Sequence, residues 1–357
     1  MPPSLDALEV SLLNTSGKVK LDARFRTLFT LKSLASVSDE NCVRVISIIG
    51  KGFEDDSALL KHELAYVLGQ IRDVRALKCL EDVLADEKEH TMVRHEAAEA
   101  MGAISSPASL PLLQRYLEAD PEVSIRETCH LAINKINFDS SEQGKAERAR
   151  QEQLEKAHGD AISAASNAAA PIDPAPATVH VPASARAEGN VYSLENVAHF
   201  RTSLLDNSLP LFERYRAMFA LRNTVQQGSK EAQELAMQAL ADSLVDPSAL
   251  FRHEVCFVFG ELCHPASVPA MSKVLDDDAE HEMVRHEAAE ALGGVLEEAT
   301  EGGEIAQAAV VKTLTRWAED TSAPRVVRES CIVALDEIAY NNDPTQFQPM
   351  DAVELEM

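Results

Sequence analysis

The chain of 357 residues repeats itself, and this duplication limits its fold more than any other sequence feature. RFRTLFTLKSL at 24–34 matches RYRAMFALRNT at 214–224, DEKEHTMVRHEAAEAMG at 86–102 matches DDAEHEMVRHEAAEALG at 277–293, and IRETCHLAI at 125–133 matches VRESCIVAL at 327–335. A tandem duplication of this kind predicts two similar halves, each built from smaller repeated units.

A shorter period lies inside each half. KHELAYVLG at residue 61 recurs as RHEAAEAMG at residue 94, and RHEVCFVFG at residue 252 recurs as RHEAAEALG at residue 285, a step of 33 residues both times. Such steps, with Pro- or Asp-marked turns, are typical of helix pairs stacked as a HEAT-type α-solenoid. We therefore predict an all-α fold of two pseudo-symmetric halves with about four helical hairpins each. The two middle hairpins of each half carry the motif, and the outer ones are expected to act as caps.

The segment between the halves has a different composition. Residues 139–190 begin with a charged run, which predicts an exposed helix, and continue into an Ala-, Pro- and Ser-rich stretch without periodicity or apolar residues to pack. The predicted division is an N-terminal HEAT half at 1–138, a linker at 139–190 and a C-terminal HEAT half at 191–357. We assign no chemistry to the linker.

Composition narrows the class of partner. Lys plus Arg number 33 against 58 Asp plus Glu, and the net charge of −25 argues against nucleic acid and favours a cationic partner. The six cysteines form no CxxC pair, which indicates a reducing compartment, and no stretch reaches transmembrane length. We expect an intracellular protein of the cytoplasm, and also of the nucleus, that binds no membrane.

Four His-Glu dipeptides share one position on their helices. At about 100° per residue, Val93, Ala97 and Met101 fall on one apolar stripe that marks the core side of the helix. His95 lies nearly opposite this stripe and Glu96 on its flank, so neither is expected to be a core residue. The dipeptides in this phase are His62 with Glu63, His95 with Glu96, His253 with Glu254, and His286 with Glu287.

A glycine follows each of these histidines by seven residues, at Gly69, Gly102, Gly260 and Gly293. A small residue there admits a close neighbour, and we expect the glycines to clear space for a ligand.

One further dipeptide, His281 with Glu282, does not share this phase. His281 and its counterpart His90 stand five residues before a motif histidine, where the other two copies have Ser57 and Ser248. Serine is a good N-cap residue, so these histidines are predicted to be loop or cap positions and not ligands.

Four imidazoles and four carboxylates form a nitrogen and oxygen donor set without thiolate. Stacked repeats place equivalent helices about 10 Å apart, so neighbouring histidines can converge on one ion. Two His with one carboxylate suit iron or manganese and tolerate zinc, and open positions between two such ions favour a redox role. Glu127 and Glu329 occupy the His position on the outer helices and are weaker candidates for binding an ammonium group.

Two HEAT halves with two [KR]-H-E motifs each, 33 residues apart and all intact, closely resemble the deoxyhypusine hydroxylase family. The resemblance covers nearly the whole chain except the linker. It implies a di-iron monooxygenase that uses O2 and a reductant to convert deoxyhypusine on translation initiation factor 5A to hypusine. Apart from the resemblance, we expect a monomer. Two Fe²⁺ per chain are implied, one held by His62, His95 and Glu96 and the other by His253, His286 and Glu287. Glu63 and Glu254 would be further ligands or catalytic groups that orient the cationic substrate.

Two other functions stay open on the residues alone. Most solenoids of this kind are scaffolds that bind partners without catalysis, although a scaffold has no need of four His-Glu pairs in phase. A two-metal hydrolase would use similar ligands with zinc or manganese.

Overall fold

The structure is a computed structural model that describes residues 3–149, 171–178, 191–295 and 303–342. Within these ranges every regular element is helical, and the order is four consecutive helix pairs in each predicted half. The predicted all-α class is confirmed.

The first half contains eight helices among the described residues. They are α1 (Leu5–Leu12), α2 (Leu21–Ala35), α3 (Asp39–Lys51), α4 (Ala58–Ile71), α5 (Leu77–Ala85), α6 (Thr91–Ile104), α7 (Leu110–Ala119) and α8 (Val123–Ser140). The motif dipeptides of this half lie on α4 and α6, each the second helix of its pair.

The second half repeats this order. Its helices are α9 (Leu194–Leu205), α10 (Leu211–Gln227), α11 (Lys230–Asp242), α12 (Ala249–Leu262), α13 (Val268–Asp276), α14 (Glu282–Gly293), α15 (Gly303–Glu319) and α16 (Arg325–Asn341). Its motif dipeptides lie on α12 and α14, again on the second helix of each pair.

The starts of the motif helices are fixed by side-chain caps. The Ser57 and Ser248 hydroxyls accept hydrogen bonds from the third backbone N–H of α4 and α12. The Nδ1 atoms of His90 and His281 accept from the second backbone N–H of α6 and α14, at 3.3 and 3.2 Å. The prediction that His90 and His281 are cap positions is confirmed, because their rings accept hydrogen bonds from backbone N–H groups that have no acceptor within the first turn of the helix.

A repeated arginine joins the helices of a pair. Its Nε donates to the carbonyl oxygen of a leucine at the end of the preceding helix, at 2.8 to 3.1 Å. The arginines concerned are Arg24, Arg94, Arg214 and Arg285. Two of them, Arg94 and Arg285, come directly before motif histidines, so this bond helps to fix where those histidines lie.

The described residues form two compact units. The larger unit comprises Met1–Leu64 and Ala177–Met357, and the smaller unit comprises Ala65–Pro176. One border between them falls inside α4, directly after its His-Glu pair. The predicted division of the chain at 1–138, 139–190 and 191–357 is not tested by these units and stays a prediction.

The larger unit contains the start of the first half and the end of the second half, and α2 packs against α16. The Arg26 guanidinium forms an ion pair with the Asp336 carboxylate, and the Arg325 guanidinium pairs with Asp56 at 3.2 Å. The first and last repeats are therefore joined by charged contacts.

The predicted linker is described only in part. Residues 142–149 are helical, as expected for the charged run, and 150–170 and 179–190 lie outside the described residues. The expectation that the Pro-rich part has nothing to pack is wrong for 171–178, where Pro174 and Ala175 are buried. The backbone N–H of Ile172 also donates to the Gln70 side-chain oxygen at 3.0 Å. Small residues such as these can be buried without any helical periodicity.

Candidate metal centre

Motif helices of the larger unit pack side by side. Helix α14 lies between α12 and α16, and its backbone comes very close to α16. A Cβ built on Gly293 would lie 2.8 Å from the Cβ of Ala334, and one on Gly260 would lie 3.4 Å from the Cα of Ala291. In the smaller unit a Cβ on Gly102 would lie 3.0 Å from the Cα of Ala132.

These glycines do not clear space for a ligand, so that expectation is wrong. The space beside each of them, including Gly69 next to Ala100, is filled by the backbone of the next helix. Glycine is needed at Gly69, Gly102 and Gly293, because a Cβ there would lie within 3.0 Å of the next helix. The 3.4 Å at Gly260 leaves room for a methyl group.

The His-Glu pairs are buried. His95 and His286 have no exposed surface, and the other six residues of the set are at most 7% exposed. The expectation that they lie outside the core is therefore wrong. The face opposite the apolar stripe is covered by neighbouring helices, which a helical phase computed for one helix alone does not reveal.

The second-half pair of dipeptides forms a compact donor group. The Nε2 atoms of His253 and His286 lie 3.3 and 3.7 Å from the same Glu287 oxygen, Oε2. The two rings are 5.2 Å apart, centre to centre. Donor atoms of these three residues all lie within 4.8 Å of one another, which matches the predicted convergence of His253 and His286. Their role as metal ligands stays a prediction.

His62 belongs to the same unit and lies beside this group. Its ring centre is 5.0 Å from that of His286 and 6.1 Å from that of His253. Its Nδ1 is 3.4 Å from a Glu63 carboxylate oxygen. The N-terminal end of α4 thus brings a third imidazole to the second-half histidines.

The two remaining acidic residues of the motifs in the larger unit, Glu63 and Glu254, are also buried, and Glu254 is 2% exposed. Burial raises the pKa of Glu63, although its bond with His62 and the positive charge of Lys32 act in the opposite direction. Burial in turn lowers the pKa of the Lys32 amine. Lys32 is a residue of the site region that the sequence motif did not indicate.

In the smaller unit His95 has a related surrounding. Its Nε2 is 3.6 Å from Glu96 Oε2, and donor atoms of His95, Glu96 and Glu99 lie within 4.8 Å of one another. Its Nδ1 is 3.1 Å from the Thr128 hydroxyl, which donates its own hydrogen to the Ser124 carbonyl. The hydroxyl oxygen therefore accepts from Nδ1–H, which leaves the Nε2 lone pair on the side of Glu96.

His62 lies in the larger unit, whereas His95 and Glu96 lie in the smaller one. The set of His62, His95 and Glu96 implied by the family resemblance stays a prediction.

Sequence reasoning missed Glu290. Its Oε1 lies 3.4 Å from His286 Nδ1 and accepts a hydrogen bond from the Ser330 hydroxyl at 3.0 Å. Burial raises the pKa of this carboxyl group. The available signal was its spacing: Glu290 and Glu99 both follow a motif histidine by four residues, one helical turn along the same face.

The two weaker substrate candidates lie on α8 and α16. Both carboxylate oxygens of Glu329 are engaged, one with the Ser57 hydroxyl at 2.7 Å and the other with Arg325 at 2.6 Å. Glu329 therefore supports the cap of the helix that carries His62. Glu127 is half-buried beside Thr128, and substrate binding by either residue stays a prediction.

The donors fit a metal that prefers nitrogen and oxygen ligands. Burial raises the pKa of Cys331 to about 12 and that of Cys256 well above its usual range, so these thiols stay protonated. Two imidazoles and a carboxylate around one point suit iron or manganese and do not resemble a Cys-rich structural zinc site.

Comparisons with known proteins agree with this description. The HEAT-repeat family matches residues 31–134 and 234–336. The chain is 56% identical to a deoxyhypusine hydroxylase of Mycosarcoma maydis over 97% of this chain and 98% of that protein. It is 44% identical to one of Mus musculus over 94% and 92%. A solved structure of human deoxyhypusine hydroxylase in complex with glycerol is 41% identical, with a TM-score of 0.70 over 94% of this chain and 96% of that one.

Proposed function

The chain belongs to the deoxyhypusine hydroxylase family, and we propose from this premise that it uses two iron ions, O2 and a reductant. Hydroxylation in hypusine synthesis is the activity of the family. The proposed substrate is the deoxyhypusine side chain of translation initiation factor 5A, and the enzyme is proposed to act as a monomer.

The observation that carries the proposal is the convergence of two imidazoles on one carboxylate. His253 Nε2 and His286 Nε2 both approach Glu287 Oε2, and two His with one carboxylate is the arrangement that oxygen-activating iron uses. These three residues would hold the second-half ion, and His95 and Glu96 would contribute ligands to the other. Bound iron supplies electrons and open coordination positions for O2.

The chain's own residues would orient the substrate side chain and exclude water from the site. Glu63 and Glu254 are buried carboxylates beside motif histidines, so they are proposed to orient the positively charged side chain of the substrate by charge complementarity. The acidic surface implied by a net charge of −25 would draw such a cation towards the enzyme. Burial of His95 and His286 keeps bulk water away from the reacting atoms.

Membership of this family argues against both alternative functions, the non-catalytic scaffold and the two-metal hydrolase. A non-catalytic scaffold does not account for an enzyme family that matches along nearly the whole chain. A two-metal hydrolase would split a bond with water, whereas the family adds a hydroxyl group.

The test is a reaction of the full-length, iron-loaded protein with purified factor 5A carrying deoxyhypusine, under isotopically labelled O2. The proposal expects product that gains one labelled oxygen atom, with no product under nitrogen. Label from water in place of label from O2, or no product with iron fully loaded, would contradict it.

A further inference from the structure

We propose that Glu290 is a positioning residue for His286, and that it makes the second-half ion the more tightly held of the two. This inference rests on the proposed function, because it assumes that two ions bind.

The two nitrogen atoms of the His286 ring face different carboxylates. Nε2 faces Glu287 Oε2 at 3.7 Å, on the side where the donor group converges, and Nδ1 faces Glu290 Oε1 at 3.4 Å. Only the Nδ1 contact is short enough for a hydrogen bond, so we place the ring proton on Nδ1, which keeps the Nε2 lone pair for a metal.

The Glu290 side chain is held by a contact with a second helix. It stands four residues after His286 on α14, so both side chains lie on one face. The Ser330 hydroxyl, on α16, donates to Glu290 Oε1 at 3.0 Å. The carboxylate is therefore fixed from a second helix and in turn limits rotation of the imidazole.

In the first half, the equivalent histidine, His95, has a different partner at its Nδ1 atom. His95 Nδ1 contacts a neutral hydroxyl, Thr128 Oγ1 at 3.1 Å, although Glu99 occupies the same sequence position as Glu290. Glu99 instead places a carboxylate oxygen within 4.8 Å of donor atoms of His95 and Glu96. Identical motif sequences thus give one histidine a carboxylate partner and the other a hydroxyl partner.

The partner of Nδ1 changes how strongly the imidazole binds a metal, because it changes the basicity of the ring. A carboxylate that accepts from the distal N–H of a ligating histidine raises the electron density of the ring and fixes its tautomer. A neutral hydroxyl has the weaker effect. Removal of such a partner typically lowers metal affinity about 10- to 100-fold.

The experiment follows iron release from full-length, iron-loaded protein into an excess of chelator. Wild type is expected to release two ions per chain in a fast and a slow phase. Glu290→Gln, which is nearly isosteric, is expected to accelerate the slow phase about 10- to 100-fold. The matched variant Glu99→Gln is expected to leave the slow phase unchanged.

Two further measurements separate positioning from a general structural effect. Mössbauer spectra of iron-loaded Glu290→Gln should show a change in one of the two iron signals, whereas loosened packing would broaden both. If Glu290→Gln does not fold by circular dichroism, Ser330→Ala replaces it, because it removes only the hydroxyl that holds Glu290. It should also accelerate the slow phase.

The outcomes are distinguishable. Two bound ions whose release is unaffected by Glu290→Gln, or affected equally by Glu99→Gln, would overturn this inference and leave the proposed function standing. Protein that binds no iron would overturn both.

Discussion

Helices α6 and α14 carry the same heptapeptide, RHEAAEA, yet the helices that pack beside them differ in charge. In the smaller unit α8 provides Lys135, which pairs with Asp139 at 2.5 Å. The sequence position equivalent to Lys135 on α16 is Glu337. Burial and the neighbouring carboxylates of Glu290 and Asp336 raise its pKa to about 7.

Duplication thus preserved the donor atoms while their surroundings diverged. His95 has the Thr128 hydroxyl beside its Nδ1 atom, whereas His286 has the Glu290 carboxylate there. Glu290 in turn lies near enough to Glu337 to raise its pKa. Two ions bound by similar ligands would therefore experience different electrostatic environments.

The largest effect is expected from removing a donor histidine. His286→Ala removes an imidazole from the group with His253 and Glu287, so it should lose bound iron and reduce turnover at least about 100-fold. Iron content and product formation measure this. His281→Ala is the matched control, because its ring caps α14 and lies outside the donor group. Equal iron loss in both variants would show that the effect comes from the helix and not from the ligand.

The second prediction compares the arginines that precede the two motifs. Arg94 forms a buried ion pair with Asp120 at 2.5 Å, whereas Arg285 faces Asp278, whose side chain is 81% exposed. Arg94→Leu should lower the free energy of unfolding by about 3–5 kcal/mol, because it leaves a buried charge without its partner.

Arg285→Leu loses the Nε hydrogen bond to the Leu275 carbonyl and the stacking of the guanidinium on Trp317 at 4.3 Å, so about 1–2 kcal/mol is expected. Urea unfolding of both variants measures the difference. Equal losses would show that the exposed Asp278 contributes as much as the buried Asp120.

The third prediction tests the close approach of helices within the larger unit. Gly293→Ala would place a Cβ 2.8 Å from that of Ala334, so the helices must move apart, at a cost of about 1–3 kcal/mol. Gly260→Ala meets its nearest atom at 3.4 Å, and should be nearly neutral because alanine also favours the helix. Thermal unfolding of the two variants checks this, and a larger loss for Gly260→Ala would contradict it.

The smallest expected effect is on the pH dependence of stability, measured on metal-free protein. Since the folded-state pKa of Glu337 is raised to about 7 from a usual 4.5, folded and unfolded chains both hold the proton below pH 4.5. Between these values only the folded chain holds it, so this residue makes the protein less stable as pH rises from about 4.5 to 7.

Glu337→Gln should remove that loss, with a gain well below about 1 kcal/mol at pH 8, because Glu337 is exposed and solvent screens its charge. Unfolding curves at pH 5 and pH 8 measure it, with the exposed Glu40→Gln on α3 as control. A gain at pH 5 in place of pH 8 would reverse the assigned direction.

The sequence predicted most of the fold because repetition is a strong signal. The 33-residue step gave the helix pairs, and the common phase of the His-Glu dipeptides separated them from His281, which indeed caps α14. Burial of His95 and His286 was missed because it depends on neighbouring helices. The glycines were misread for the same reason.

Glu290 and Ser330 could not be assigned from sequence. Glutamate on the polar face of a helix is common, and its meaning here depends on how closely α14 and α16 pack. The sequence pattern alone does not predict the role of this glutamate. Glu99 occupies the same position of the same heptapeptide as Glu290 and has different neighbours.

Iron content of purified full-length protein decides whether the His-Glu pairs hold a metal pair. If the His-Glu pairs are the ligands of a metal centre, elemental analysis of iron-loaded wild type should give about two iron ions per chain, as two sets of 2-His-1-carboxylate ligands require. Zinc alone, or no metal in protein that is folded by circular dichroism, would show that the His-Glu pairs do not hold two iron ions.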